Sequence, residues 1–226
     1  MRTPLVFAVI VFLAWAGVGL AGPLADTKHD LYKTIKTSDT DETCIFCHTS
    51  HGGASGGAAP LWNQALTSVG LTWVPVTTVR GTALPTDVTT AAIEGSRACL
   101  SCHDGTVAVG SVLVNQSAGS AAARTLNVTG ADITVEKLSS GSQAYINPTH
   151  SEKRDHPLAI PKPAAEAGFT NYVPSDGGTG VWYRKSSNNL QYVQCQSCHE
   201  PHDDSVAPFL LISNAAGAIC KSCHDK

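Results

Sequence analysis

The sequence predicts a polypeptide of mostly coil, with few short helices and a few β-strands or hairpins, ordered around something other than an aliphatic core. Three observations carry that expectation. The 226 residues include 20 glycines and 12 prolines, so turns and loops are abundant. Charged residues make up 15%, against roughly 25% in ordinary globular chains, and aromatic residues only 6%. All eight cysteines fall into four CxxC pairs, repeated sites between which little polypeptide is left to build a core of its own. Formal net charge is -3, from 15 basic and 18 acidic residues, with no basic patch and no acidic tail. This composition excludes a nucleic-acid binder, a multi-span membrane protein and a coiled coil.

Taken in order, Arg2 is a short positive start, residues 5–20 are apolar without a charge, and Gly19-Leu20-Ala21 is a small-x-small site. Residues 1–21 read as a signal peptide; an uncleaved membrane anchor is the alternative, disfavoured because no basic stop-transfer cluster follows. Cleavage removes Met1, the only methionine. Residues 22–226 read as a single domain with a polar start at 22–43. A looser N-terminal pair of sites spans 44–103, a cysteine-free middle spans 104–194, and a compact C-terminal pair spans 195–226. The glycine-rich run at 52–57 is flexible, and the apolar stretch 61–78, with Trp62 and Trp73, reads as core. Residues 90–99 suit a helix leading into the second site. Residues 106–114 and 126–135 alternate as strands do. Residues 180–184 and 190–194 flank Ser186-Ser187-Asn188-Asn189 as a hairpin would. Residues 157–163, with three prolines, read as an extended linker.

Each CxxC pair is followed at once by histidine: Cys44, Cys47 and His48; Cys99, Cys102 and His103; Cys195, Cys198 and His199; Cys220, Cys223 and His224. CxxCH is the attachment pattern for c-type haem. Two thiols about one turn apart add to the two vinyl groups, and the next imidazole faces the iron from the proximal side. The fold class expected is therefore a small multihaem cytochrome c with the haems forming the core, four haem c groups per chain. A zinc ribbon explains two CxxC pairs but leaves four adjacent histidines without a role. Disulfides within each pair would be a redox motif, and no thioredoxin-like βαβ pattern accompanies them.

Each iron takes two axial ligands. A mature chain without methionine points to histidine on both sides, a ligation that favours low potentials. Nine histidines less the four proximal ones leave His29, His51, His150, His156 and His202. His51 and His202 occupy the same frame, three residues after a proximal histidine. A residue so placed stays on the proximal side of its own haem, so each is expected to ligate a neighbouring one. The other two distal ligands come from His29, His150 and His156. His156 precedes Pro157, which restricts its backbone and favours it over His150.

Several strings together resemble the OmcE-like extracellular tetrahaem cytochromes, the cytochrome nanowire family. They are Lys28-His29-Asp30-Leu31, Cys44 to Gly52, Ala59-Pro60-Leu61-Trp62-Asn63, Cys99 to Gly105, Asp155-His156-Pro157 and Cys195 to His202. The final pair of sites resembles a doubled CxxCH motif. The resemblance covers nearly all of the mature chain. It implies a secreted cytochrome that polymerises into a conductive filament with one continuous haem stack and one axial histidine crossing between subunits. Carried over, the distal ligands are His29, His51, His156 and His202, and His150 has no counterpart.

Electron conduction without substrate chemistry is the leading expectation, with head-to-tail self-association and His29 offered to the adjacent subunit. Other cytochromes and extracellular electron acceptors are the expected partners, at the cell surface or outside it. A monomeric periplasmic shuttle is the alternative. A multihaem reductase needs an open coordination position, whereas histidine supply here exceeds demand and no CxxCK string appears.

Overall fold

The computed structural model describes residues 24–35, 37, 39–54, 60–67, 90–113, 124–126, 130, 133–134, 137–147, 156–162 and 183–224. The stretch expected as a signal peptide, Trp73 and His150 lie outside them. The described chain is mostly coil. Three short α-helices are present: α1 (Leu31–Thr34), α2 (Arg97–His103) and α3 (Ala218–Lys221). Short 3₁₀ turns run over Thr43–Phe46, Glu94–Ser96, Cys195–Ser197 and Ala215–Gly217. Six two-residue strands form three antiparallel pairs: β1 (Ser111–Val112) with β2 (Arg124–Thr125), β3 (Ile133–Thr134) with β4 (Lys137–Leu138), and β5 (Arg184–Lys185) with β6 (Gln191–Tyr192).

Among the described residues, the expected strand windows 106–114 and 126–135 contain β1 and β3, and β2 lies just outside the second of these windows. The expected helix at 90–99 instead begins as a 3₁₀ turn at Glu94 and continues as α2 through His103. The hairpin forms as expected, closed by Ser186 N–H donating to Leu190 O at 2.9 Å. The stretch expected as a linker is bound along β6: Ala159 N–H donates to Val193 O, Val193 N–H to Ile160 O and Lys162 N–H to Gln191 O. Prolines lack only their own donors, so Ala159 and Lys162 supply the ladder that Pro157 and Pro161 cannot.

The apolar core is small and divided. Ile35, Ile45, Phe46, Val109, Val112 and Leu126 form one cluster, with Cys47 and Cys102 packed against it. The first two sites therefore share packing. Gln64, fully buried, ties them further: its Nε2 donates to Phe46 O and to Val109 O, both at 2.8 Å. The second and third sites are joined by the 3₁₀ turns before them. Cys195 N–H donates to Ser96 Oγ at 3.0 Å, and the Gln196 side chain donates to Gly95 O. No residue of the Ala215–Gly217 turn or of α3 is buried.

Candidate metal centre

The four CxxCH strings are held by short turns rather than by long helices. At the first site, residues 60–63 run antiparallel beside the string. Thr49 N–H donates to Leu61 O and Asn63 N–H to Cys47 O, each at 2.9 Å. At the third site, residues 208–211 do the same: Glu200 N–H donates to Phe209 O and Leu211 N–H to Cys198 O, each at 2.9 Å. Leu61 and Phe209 occupy equivalent positions and both take left-handed backbone, with φ of 51° and 56°. The first and third sites are thus one structural unit used twice.

That unit places a carbonyl against the proximal imidazole. His48 Nδ1 is 3.1 Å from Pro60 O and His199 Nδ1 is 3.1 Å from Pro208 O. At the second site His103 Nδ1 is 2.7 Å from Ala144 O. Two of the other histidines are anchored alike, His29 Nδ1 to Pro201 O at 3.1 Å and His156 Nδ1 to Pro157 O at 2.9 Å. His202 Nδ1 lies 2.8 Å from Glu200 Oε1. A carbonyl oxygen only accepts, so Nδ1 carries the proton and Nε2 keeps the lone pair that binds a metal. Burial also pushes the pKa of His29 and His103 down, which favours the neutral, ligating imidazole.

Among the described residues three imidazole pairs result. His48 faces His202 with ring centres 6.0 Å apart and planes 21° apart. His29 faces His103 at 6.1 Å and 72°, and His156 faces His224 at 6.5 Å and 58°. Two imidazoles on opposite sides of one metal, each bonded at about 2.0 Å and with roughly 1.1 Å from nitrogen to ring centre, stand about 6.2 Å apart. The observed pairs span the distance that a doubly ligated iron requires. Each pair joins a CxxCH histidine to one that is not, so the residues fit haem. His48, His103 and His224 would hold iron from the proximal side, and His202, His29 and His156 from the distal side.

His202 meets the first site although it follows the third. His29, expected to reach an adjacent subunit, instead faces His103 of its own chain, and Phe209 stacks on its other side at 4.3 Å. His51 is exposed, and among the described residues no ring faces either His51 or His199.

The cysteines occupy graded environments. Cys44 and Cys220 are exposed and the other six half-buried. Burial pushes the Cys47 and Cys102 thiols up to about 12 and Cys198 up to about 11. All three are neutral thiols at neutral pH. The neighbouring Cys195 thiol, together with burial, pushes the Cys99 thiol up, and the hydrogen bonds from Cys195 N–H to Ser96 Oγ and from the Gln196 side chain to Gly95 O bring the second and third sites together. Burial, with Cys223 beside it, pushes the Tyr183 hydroxyl up to about 12.

Sequence reasoning found the cysteines and histidines and missed the carbonyls of Pro60, Ala144, Pro201 and Pro208 that orient the rings. For two of these the signal was present: Pro60-Leu61 and Pro208-Phe209 follow the first and third strings as matching dipeptides.

A protein family described as the doubled CXXCH motif matches residues 190–226, which hold the third and fourth sites. No curated protein matches the chain. With the repeated CxxCH strings, the match supports a multihaem c-type cytochrome, which binds haem covalently and transfers electrons.

Proposed function

We propose that the chain carries four haems, one per CxxCH string, and passes electrons along them as the subunit of a secreted, extracellular head-to-tail filament resembling the OmcE-like cytochromes. Bound haem supplies reversible one-electron exchange at its iron. The chain's own residues attach it through thioethers, clamp the iron between imidazoles and fix the spacing of neighbouring sites. Imidazole on both sides leaves no position for substrate, so the reading is of a conductor and not of an enzyme.

The observation that carries the reading is the set of three imidazole pairs at iron-spanning distance. The contacts among cysteines favour an electron path in chain order. The first and second sites share the cluster against which Cys47 and Cys102 pack, and the second and third sites meet where Cys195 N–H donates to Ser96 Oγ and the Gln196 side chain donates to Gly95 O.

The filament is supported by what the pairs leave over. His199 is exposed and lacks a facing imidazole among the described residues, and so does His51. With His29 used inside the chain, His51 is the ligand offered across the contact, to His199 of the next copy. Leu61, the counterpart of Phe209, is 49% exposed, so the apolar surface that receives His29 at the third site is repeated, uncovered, at the first. A non-closing contact of this kind builds filaments. Other cytochromes and extracellular acceptors would exchange electrons at the ends.

Electron microscopy of secreted protein, with spin-state spectroscopy before and after dissociation, tests the proposal. Filaments whose haems are all low-spin, and whose dissociated subunits gain one high-spin haem each, are expected. Monomers with four low-spin haems would overturn the filament and leave the shuttle, with His150 as the fourth distal ligand.

A further inference from the structure

The residues after the four proximal histidines are Thr49, Asp104, Glu200 and Asp225. Thr49 is uncharged, the Glu200 side chain is 43% exposed, and Asp225 lies outside the described residues. Asp104 is 3% exposed. Its carboxylate is held by three donors: Thr67 Oγ1 at 2.5 Å on Oδ2, and Thr106 Oγ1 at 2.5 Å and Thr106 N–H at 2.8 Å on Oδ1. Among the described residues no lysine or arginine lies within ion-pair distance of it. The hydroxyls and the amide keep the carboxylate buried without cancelling its charge.

We propose that Asp104 is a potential-setting residue: its buried carboxylate, fixed by Thr67 and Thr106 beside His103, holds the reduction potential of the second site below that of a neutral surrounding. The inference rests on the haem-binding reading of His103. A fixed negative charge favours the more positive oxidation state of a neighbouring metal centre, and a low-dielectric surrounding strengthens the effect. The charge reaches both the ring and the thiol of the site, since Asp104 acts to raise the pKa of His103 and of Cys102. The second site is joined to the third through Ser96 with Cys195 and Gly95 with Gln196, so a lowered potential there places a downhill step for electrons leaving it toward the third site.

Spectroelectrochemistry of the haem-loaded protein tests the proposal with two variants. Asp104→Asn keeps Oδ1 for the Thr106 donors and removes the charge; one redox transition should shift upward. Thr67→Val removes a donor that offsets the charge; the same transition should shift downward. Loosened structure would move both variants the same way, so only electrostatics gives opposite signs. Transitions unmoved in both variants, or shifted alike, overturn the inference while leaving haem binding in place. A chain that binds no haem overturns the reading beneath it.

Discussion

His202 stands opposite His48, ring centres 6.0 Å apart, with the two planes only 21° apart. Its Nδ1 is fixed by Glu200 and that of His48 by Pro60 O, so both Nε2 atoms are available to one iron. His202→Ala is therefore expected to convert one haem per chain from low-spin to high-spin. His156→Ala should do the same at the fourth site. Electron paramagnetic resonance reads both changes, and a fully low-spin His202→Ala protein would contradict the pairing.

Gln64 serves two carbonyls, Phe46 O and Val109 O, from a position with no exposure. Gln64→Leu keeps the volume and leaves both acceptors buried without a donor. Stability should fall by about 2–4 kcal/mol, read as the urea midpoint of the haem-loaded protein. An unchanged midpoint would mean that the first two sites are not held together through this side chain.

Gly53 packs against the strand that holds His48. A Cβ there would lie 2.7 Å from Leu61 C and 2.9 Å from Trp62 O, both backbone atoms with no room to yield. Gly53→Ala should cost about 1–3 kcal/mol. Gly141→Ala is the control, since its Cβ would meet only Ser139 Oγ at 3.6 Å. Equal thermal stability of the two variants would refute the close packing of this strand.

Asp30, 5% exposed, anchors α1 beside the first site. Its carboxylate accepts from Thr43 Oγ1 at 2.5 Å and from Asp26 N–H at 3.0 Å, with Lys33 Nζ at 3.4 Å. The Thr43 hydrogen bond, foremost, holds its pKa below the usual carboxylate range. A depressed carboxyl contributes stability that is complete above its unfolded pKa and is lost as pH falls through the folded value. The contribution should therefore be full at neutral pH and decline below about pH 4. Asp30→Asn should lower stability at pH 7 and flatten this acid limb. A variant with the parent's slope would exclude Asp30 as its source.

The chemistry of the sites was legible because it is contiguous: two thiols and an imidazole must sit within five residues to meet one haem. The coil-rich fold was legible for a related reason, since repeated sites leave too little chain for a core of its own. The pairings were less so. His202 and His51 share one sequence frame, yet only His202 finds a facing ring in the described chain: Glu200 holds the His202 ring, whereas the hydroxyl of its counterpart Thr49 bonds the His51 carbonyl. His29 has no sequence signal toward His103; Pro201 O and the face of Phe209 place it there. Spacing along the chain also misleads about packing, since Gln64 joins sites far apart in sequence while α3, close to the third site, buries nothing.

The central claim is that each CxxCH string holds a covalent haem. Intact-mass measurement of the native protein under denaturing conditions tests it most directly, because thioether-linked haem stays on the unfolded chain. The account predicts the mass of the mature polypeptide plus four haems; the mass of the bare polypeptide, reduced or with disulfides, would contradict it.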